Sequence, residues 1–133
     1  MRLVPYLYFK GNCEEALKFY EGCGLGKMAV LNRYAGTPMV ERLGDEWAQK
    51  VLHSEFVGDT LRFYASEGPD SEPMKGSAML LEFDEPATAA LMFGNLSTGG
   101  QVTVPFAKQF WGDDYGNFTD AFGVQWATIS RAS

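Results

Sequence analysis

The chain repeats itself. Residues 9–26, FKGNCEEALKFYEGCGLG, lie over residues 83–100, FDEPATAALMFGNLSTGG, at a constant offset of 74 positions. Phe9, Ala16, Leu17 and Phe19 fall on Phe83, Ala90, Leu91 and Phe93, and the closing glycines match within a residue. Each copy reads as the end of an apolar strand, a short polar cap, an amphipathic helix and a glycine stop. An internal repeat constrains a chain more than any local propensity, because it demands two copies of one supersecondary unit.

The rest of the chain can be parsed around that repeat. Residues 2–9 (RLVPYLYF) read as a strand, with Pro5 favouring an edge or a bulge. Asn12 stands at the N-cap position, Glu14 and Glu15 fill the first turn, and Ala16, Leu17, Phe19 and Tyr20 form the helical stripe. Strands follow over 27–34, 51–57 and 60–65, the last two joined tightly at Gly58-Asp59. Residues 35–49 are polar and carry Gly and Pro. They read as a loop with room for one helical turn near 45–49.

SEGPDSEPMKG, residues 66–76, has linker composition. Beyond it come a strand over 77–83 and a helix from Pro86 to about Ser97 capped by Asp84. A strand over 101–104 is stopped by Pro105. Residues 112–119 form a further strand or the loop into one, Asp120–Gly123 a turn, and 124–130 the last strand. The pattern is β-α-β-β-β twice over. The fold class is therefore α+β, in one domain (1–133) of two modules, 1–66 and 77–131, with the linker at 67–76.

Charge narrows the function. The 133 residues carry a net charge of −6, and no Lys/Arg cluster occurs, so binding to nucleic acid is not expected. No segment approaches the roughly 20 apolar residues of a membrane span, and the first ten residues do not read as a signal peptide. The expected location is the cytoplasm. Cys13 and Cys23 sit on one helix about 15 Å apart, too far for a disulfide, and reduced thiols agree with that location.

Three segments carry a family resemblance. PYLYFKGNCEEALKFY (5–20) resembles the opening of the PhnB-like group of the vicinal oxygen chelate superfamily, which includes glyoxalase I, bleomycin-resistance proteins and extradiol dioxygenases. GGQVTVPFAKQFWGDDYGNFTDAFGVQW (99–126) resembles the closing signature of that group in its glycine pair, Val-Thr-x-Pro, Phe-Trp-Gly and Asp-x-Phe-Gly-x-x-Trp. VLHSEFVGDTLRFYAS (51–66) is similar to its third and fourth strands. Ala121 departs from the pattern, which has proline there, and residues 35–50 match poorly.

The resemblance implies a glyoxalase/bleomycin resistance-like fold of two βαβββ half-barrels around a ligand cavity, often within a homodimer. It also implies where a divalent metal would be held. The matching positions fall near Pro5, within 77–79 and near Ala127, and none carries a ligand of the required type. The expectation is no metal and no cofactor. The methyltransferase label sometimes attached to this group finds no support, since no Gly-rich nucleotide loop follows a strand.

The candidate site residues are then aromatic. Tyr6 and Tyr8 share one strand face. Trp111 and Trp126 belong to the closing signature. Asp113, beside Asp114, would sit at the cavity mouth and favour a cationic ligand. His53 is the sole histidine, with Glu55 two residues on. It reads either as a strand histidine paired to backbone or as a general base. Two functions stand: a metal-free protein binding a small planar ligand, and a glyoxalase-like lyase or isomerase.

Overall fold

The computed structural model describes residues 1–132. They form two compact units, one from Met1 to Pro73 and one from Met74 onward. In the first unit β1 (Tyr6–Phe9), α1 (Cys13–Gly22), β2 (Lys27–Arg33), β3 (Val51–Val57) and β4 (Arg62–Glu67) follow in order, with α2 (Pro38–Leu43) and a 3₁₀ turn (Asp45–Trp47) between β2 and β3. The second unit runs β5 (Met79–Phe83), α3 (Pro86–Leu96), β6 (Gln101–Lys108), β7 (Asp114–Thr119) and β8 (Gln125–Ser130). The sheet orders are β1-β4-β3-β2 and β5-β8-β7-β6. The two units thus share one topology, with the first strand parallel to the last in each. The helices fall where the repeat puts them. No helix among the described residues is long and apolar enough to cross a membrane.

Each helix covers one face of its own sheet. Cys13, Ala16, Leu17 and Tyr20 recur at helical spacing and are buried. Tyr20 meets Phe56 and Phe63 edge-on at 6.3 and 6.1 Å, and those two rings stack at 4.9 Å. Burying a side chain such as Leu17 contributes about 1.5–3 kcal/mol. In the second unit Ala89, Phe93 and Leu96 do the same work. Phe93 stands edge-on to Phe118 at 5.1 Å. Gly116 is required there: a Cβ at this position would come within 2.7 Å of the Phe93 ring and 2.8 Å of the Phe106 backbone.

Several local expectations are corrected. Neither helix is capped by its expected side chain. Asn12 occupies the N-cap of α1 without a cap hydrogen bond, and α3 is preceded by Glu85, not Asp84. For α1 the first N–H, from Cys13, goes instead to Glu67 Oε1 at 3.1 Å. Ser66 and Glu67 are strand residues, so the segment joining the units begins after β4. β3 and β4 are joined by a wider turn closed by Gly58 N–H to the Leu61 carbonyl at 2.9 Å. β6 runs through Pro105 to Lys108, because the register slips between Val104 and Ala107 and spares the missing N–H a ladder partner.

Candidate functional site

Strand alternation builds the site. In β1, Leu7 and Phe9 are buried, so Tyr6 and Tyr8 point to the opposite face. They are 37% and 60% exposed, and their rings stack 5.0 Å apart with an interplanar angle of 26°. Parallel pairing sets Tyr6 beside Tyr64, whose ring stands edge-on at 5.9 Å. Antiparallel pairing then sets Glu55 of β3 beside Tyr64. His53 lies two residues from Glu55 on the same face, its ring 5.2 Å from that of Tyr64.

The polar atoms of this cluster form a chain. Tyr6 Oη lies 3.0 Å from His53 Nδ1, and His53 Nε2 lies 3.3 Å from Glu55 Oε2. A carboxylate only accepts, so with a neutral imidazole the proton sits on Nε2 and Nδ1 accepts from the Tyr6 hydroxyl. Of the expected site residues Tyr6, Tyr8, His53, Trp111, Asp113 and Trp126, the first three are brought together here, and His53 pairs with side chains at both ring nitrogens.

Next to Tyr8 the first unit opens a groove of about 470 Å³ lined by Tyr34, Ser66, Glu67, Asp70 and Glu72 among others. Tyr34 donates its hydroxyl to the Glu67 carbonyl. Burial, reinforced by the Glu67 charge, pushes the Tyr34 phenol above its ordinary value.

Trp111 and Asp113 belong to the second unit. Trp111 is 49% exposed, with Phe110 edge-on at 4.9 Å and Tyr115 at 6.0 Å. Its indole N–H donates to Asp113 Oδ2 at 3.2 Å. The same oxygen lies 3.4 Å from Arg131 Nε, and Oδ1 accepts the Ala132 N–H at 2.7 Å. A cationic ligand at Asp113 has to compete with Arg131. Trp126 is only 1% exposed, and its indole N–H donates to the buried Asp120 Oδ2 at 2.8 Å. That bond holds the last turn. A further cavity of about 420 Å³ in this unit is lined by Ser77, Thr103, Tyr115, Asn117, Gln125 and Trp126 among others.

Comparison with known proteins places these two units. No family model matches the chain. Protein PA1353 from Pseudomonas aeruginosa is 32% identical; the match covers 100% of this chain and 99% of that one, with a TM-score of 0.86. A PhnB protein from Bacillus cereus is 18% identical over 98% of this chain and 100% of its own, with a TM-score of 0.80. A bleomycin resistance determinant encoded on the transposon Tn5 is 13% identical over 98% of each chain, with a TM-score of 0.62. The chain belongs to the same family as PA1353, and it shares the fold of the PhnB protein and of the bleomycin resistance determinant. Its βαβββ units are the half-barrel modules of the glyoxalase/bleomycin resistance fold.

The fold raises the question of a divalent metal, and the donor set does not fit one. Pro5 offers only a carbonyl, which accepts the Tyr64 N–H at 2.9 Å. Ala127 is a buried methyl group. His53 and Glu55 make two donors, and among the described residues no group of three or more His, Cys, Asp or Glu could hold an ion.

Sequence reasoning missed two members of these sites. Tyr64 was readable, because the register of the β3–β4 hairpin puts it opposite Glu55. Glu67 was hidden by its linker-like neighbours Gly68 and Pro69.

Proposed function

We propose that the protein binds a small planar molecule, without a metal, against the open face formed by Tyr6, Tyr8 and His53. One observation carries this reading: two stacked tyrosine rings remain exposed on the sheet face opposite α1. Aromatic rings in that setting hold flat π systems by stacking. The half-exposed Trp111 offers a further aromatic surface in the second unit. The reading also agrees with the name of the bleomycin resistance determinant, a protein with this fold.

Calorimetric titration of a panel of planar aromatic acids and amines tests it. Tyr8→Ala should weaken the best binder by about 1–3 kcal/mol, the scale of one aromatic stack. Trp111→Ala reports on the second cluster, and quenching of tryptophan fluorescence follows the same titration. If no planar compound binds, or Tyr8→Ala leaves binding unchanged, the reading falls.

We place this activity in the cytoplasm, on the strength of the reduced thiols of Cys13 and Cys23. We also propose a C2 homodimer, since β1 and β2, and β5 and β6, are the outer strands of their sheets. Light scattering that gives a monomer at tens of micromolar, where a standard interface persists, would count against the dimer. A second functional reading, a lyase or isomerase, is favoured by the bond between Tyr6 and His53.

A further inference from the structure

We infer that Glu55, His53 and Tyr6 form a proton relay in which Tyr6 is the acid–base group toward an aryl-substituted, enolisable carbonyl compound. The inference rests on the proposed ligand site and assigns it a substrate class and a reaction.

The argument begins with the direction of the hydrogen bonds. With the His53 imidazole neutral, the distances set Glu55 Oε2 to accept from His53 Nε2 and His53 Nδ1 to accept from Tyr6 Oη. Tyr6 therefore spends its one proton inward, and the remaining lone pairs of its oxygen are available to a ligand. This is the order of parts that activates a side-chain hydroxyl elsewhere: an oxygen, an imidazole base behind it, and a carboxylate that orients the imidazole and stabilises its cation. A phenol replaces the alcohol here.

The position suits a ligand. The three side chains come from β1 and β3 and meet on the face away from α1. Tyr8 is stacked on Tyr6 and is the more exposed of the two rings. An aryl group lying along Tyr8 brings its substituent to the Tyr6 hydroxyl. Tyr64, edge-on to Tyr6 and 5.2 Å from the His53 ring, fixes both.

The relay supplies a proton acceptor and a proton donor, and the reaction these groups complete between them is a proton shift. The C–H bond next to the carbonyl breaks, and its proton goes to Tyr6 Oη. The Tyr6 hydroxyl proton passes to His53 Nδ1, leaving an imidazolium beside the Glu55 carboxylate. The electron pair of the C–H bond becomes the enolate. Return of the proton through Tyr6 to the enolate oxygen gives the enol and restores the relay. Nothing is oxidised or reduced.

Phenylpyruvate is a suitable probe, with a planar ring and an acidic benzylic C–H. Its keto–enol interconversion should be accelerated by the protein. Tyr6→Phe should lower kcat by about a hundredfold or more, the usual scale for loss of a general acid–base group, with KM changed less than about threefold. His53→Gln and Glu55→Gln should also lower kcat and not KM, marking them as positioning residues. Tyr8→Ala should raise KM. Because His53 is the sole histidine, ¹⁵N NMR reads its tautomer directly: the proton should be on Nε2, and the Nδ1 signal should move in Tyr6→Phe.

The outcomes separate. Calorimetric binding of phenylpyruvate without acceleration, or acceleration that survives Tyr6→Phe, overturns the relay and leaves the binding reading standing. A proton on Nδ1 overturns the relay whatever the kinetics. Failure of phenylpyruvate to bind removes this substrate class. Failure of every planar compound removes the binding reading, and the relay with it.

Discussion

Glu67 Oε1 accepts the N–H of Cys13 at 3.1 Å, from 54 positions away. Its other oxygen accepts the N–H of Val51 at 2.8 Å. One buried carboxylate thus ties the start of α1 to the start of β3. A helix N-terminus leaves N–H groups without intrahelical partners, and a carboxylate there is favoured by the helix dipole. Glu67→Leu strands two buried donors and should cost about 2–6 kcal/mol in urea unfolding, at about 1–3 kcal/mol for each unsatisfied group. Glu67→Gln keeps one acceptor and should cost less. Equal stability of Glu67→Leu and wild type would show that the two N–H groups find other partners.

The same carboxylate also bears on Cys13. Burial, together with the Glu67 charge, pushes the Cys13 thiol up to about 12. Cys23, after the helix, is partly exposed. Iodoacetamide should therefore add one group to the folded protein, on Cys23, and a second only on unfolding. The shift also has a stability sign. The ordinary value is 9.0. Above it the unfolded chain loses a proton that the folded chain keeps, so stability falls as pH rises from 9 toward 12. Cys13→Ala should remove that fall, as read by denaturation at the two pH values.

The architecture was legible because it repeats. Phe9 to Gly26 over Phe83 to Gly100 fixed both helices and, through them, two β-α-β-β-β units. Tyr6 and Tyr8 on one face followed from alternation alone. What escaped depends on contacts distant in sequence. Asn12 has the right chemistry for a cap, yet Glu67 reaches the helix from the end of β4, and no local pattern shows that. Pro105 reads as a strand stop because a ladder needs N–H groups. A register slip in an edge strand removes the need, and local sequence does not announce it. Asp113 reads as a free carboxylate beside an aromatic plane, whereas Arg131 and the Ala132 N–H lie against it. The bond from Tyr6 to His53 required the register of three strands.

Trp126 and Asp120 lock the turn between β7 and β8. Asp120 Oδ1 accepts the N–H groups of Phe122 and Val124, both at 2.9 Å, while Oδ2 takes the Trp126 indole. Asp120→Ala leaves buried donors behind and should cost about 2–4 kcal/mol. Trp126→Phe removes the indole N–H and part of the packing, and should also destabilise. Neither change touches Tyr6, Tyr8 or His53, so planar-ligand affinity at 25 °C should hold in whatever fraction remains folded. A selective loss of affinity with stability intact would give Trp126 a direct place in ligand binding.

Glu14 and Arg33 give the first unit its acid-sensitive contact. Arg33 Nη1 and Nη2 each lie 3.0 Å from a Glu14 carboxylate oxygen, and Nη1 also donates to the Gln49 carbonyl at 2.8 Å. This two-pronged geometry is stronger than a single contact. The Arg33 hydrogen bonds, with its charge and that of Lys18, hold the Glu14 carboxyl below its ordinary 4.5. The folded state thus binds the proton less readily than the unfolded chain. The stabilisation is fully present above about pH 4.5 and fades as pH falls through the lowered folded value. Glu14→Gln should therefore destabilise the protein at pH 7 by less than Glu67→Leu does, because the pair is partly exposed. Its midpoint in urea should converge on that of the wild type as the solution is acidified below pH 4.5. Added salt should narrow the gap at pH 7 for the same reason. A gap that is constant from pH 7 to acid would mean that Glu14 acts through packing and not through its charge.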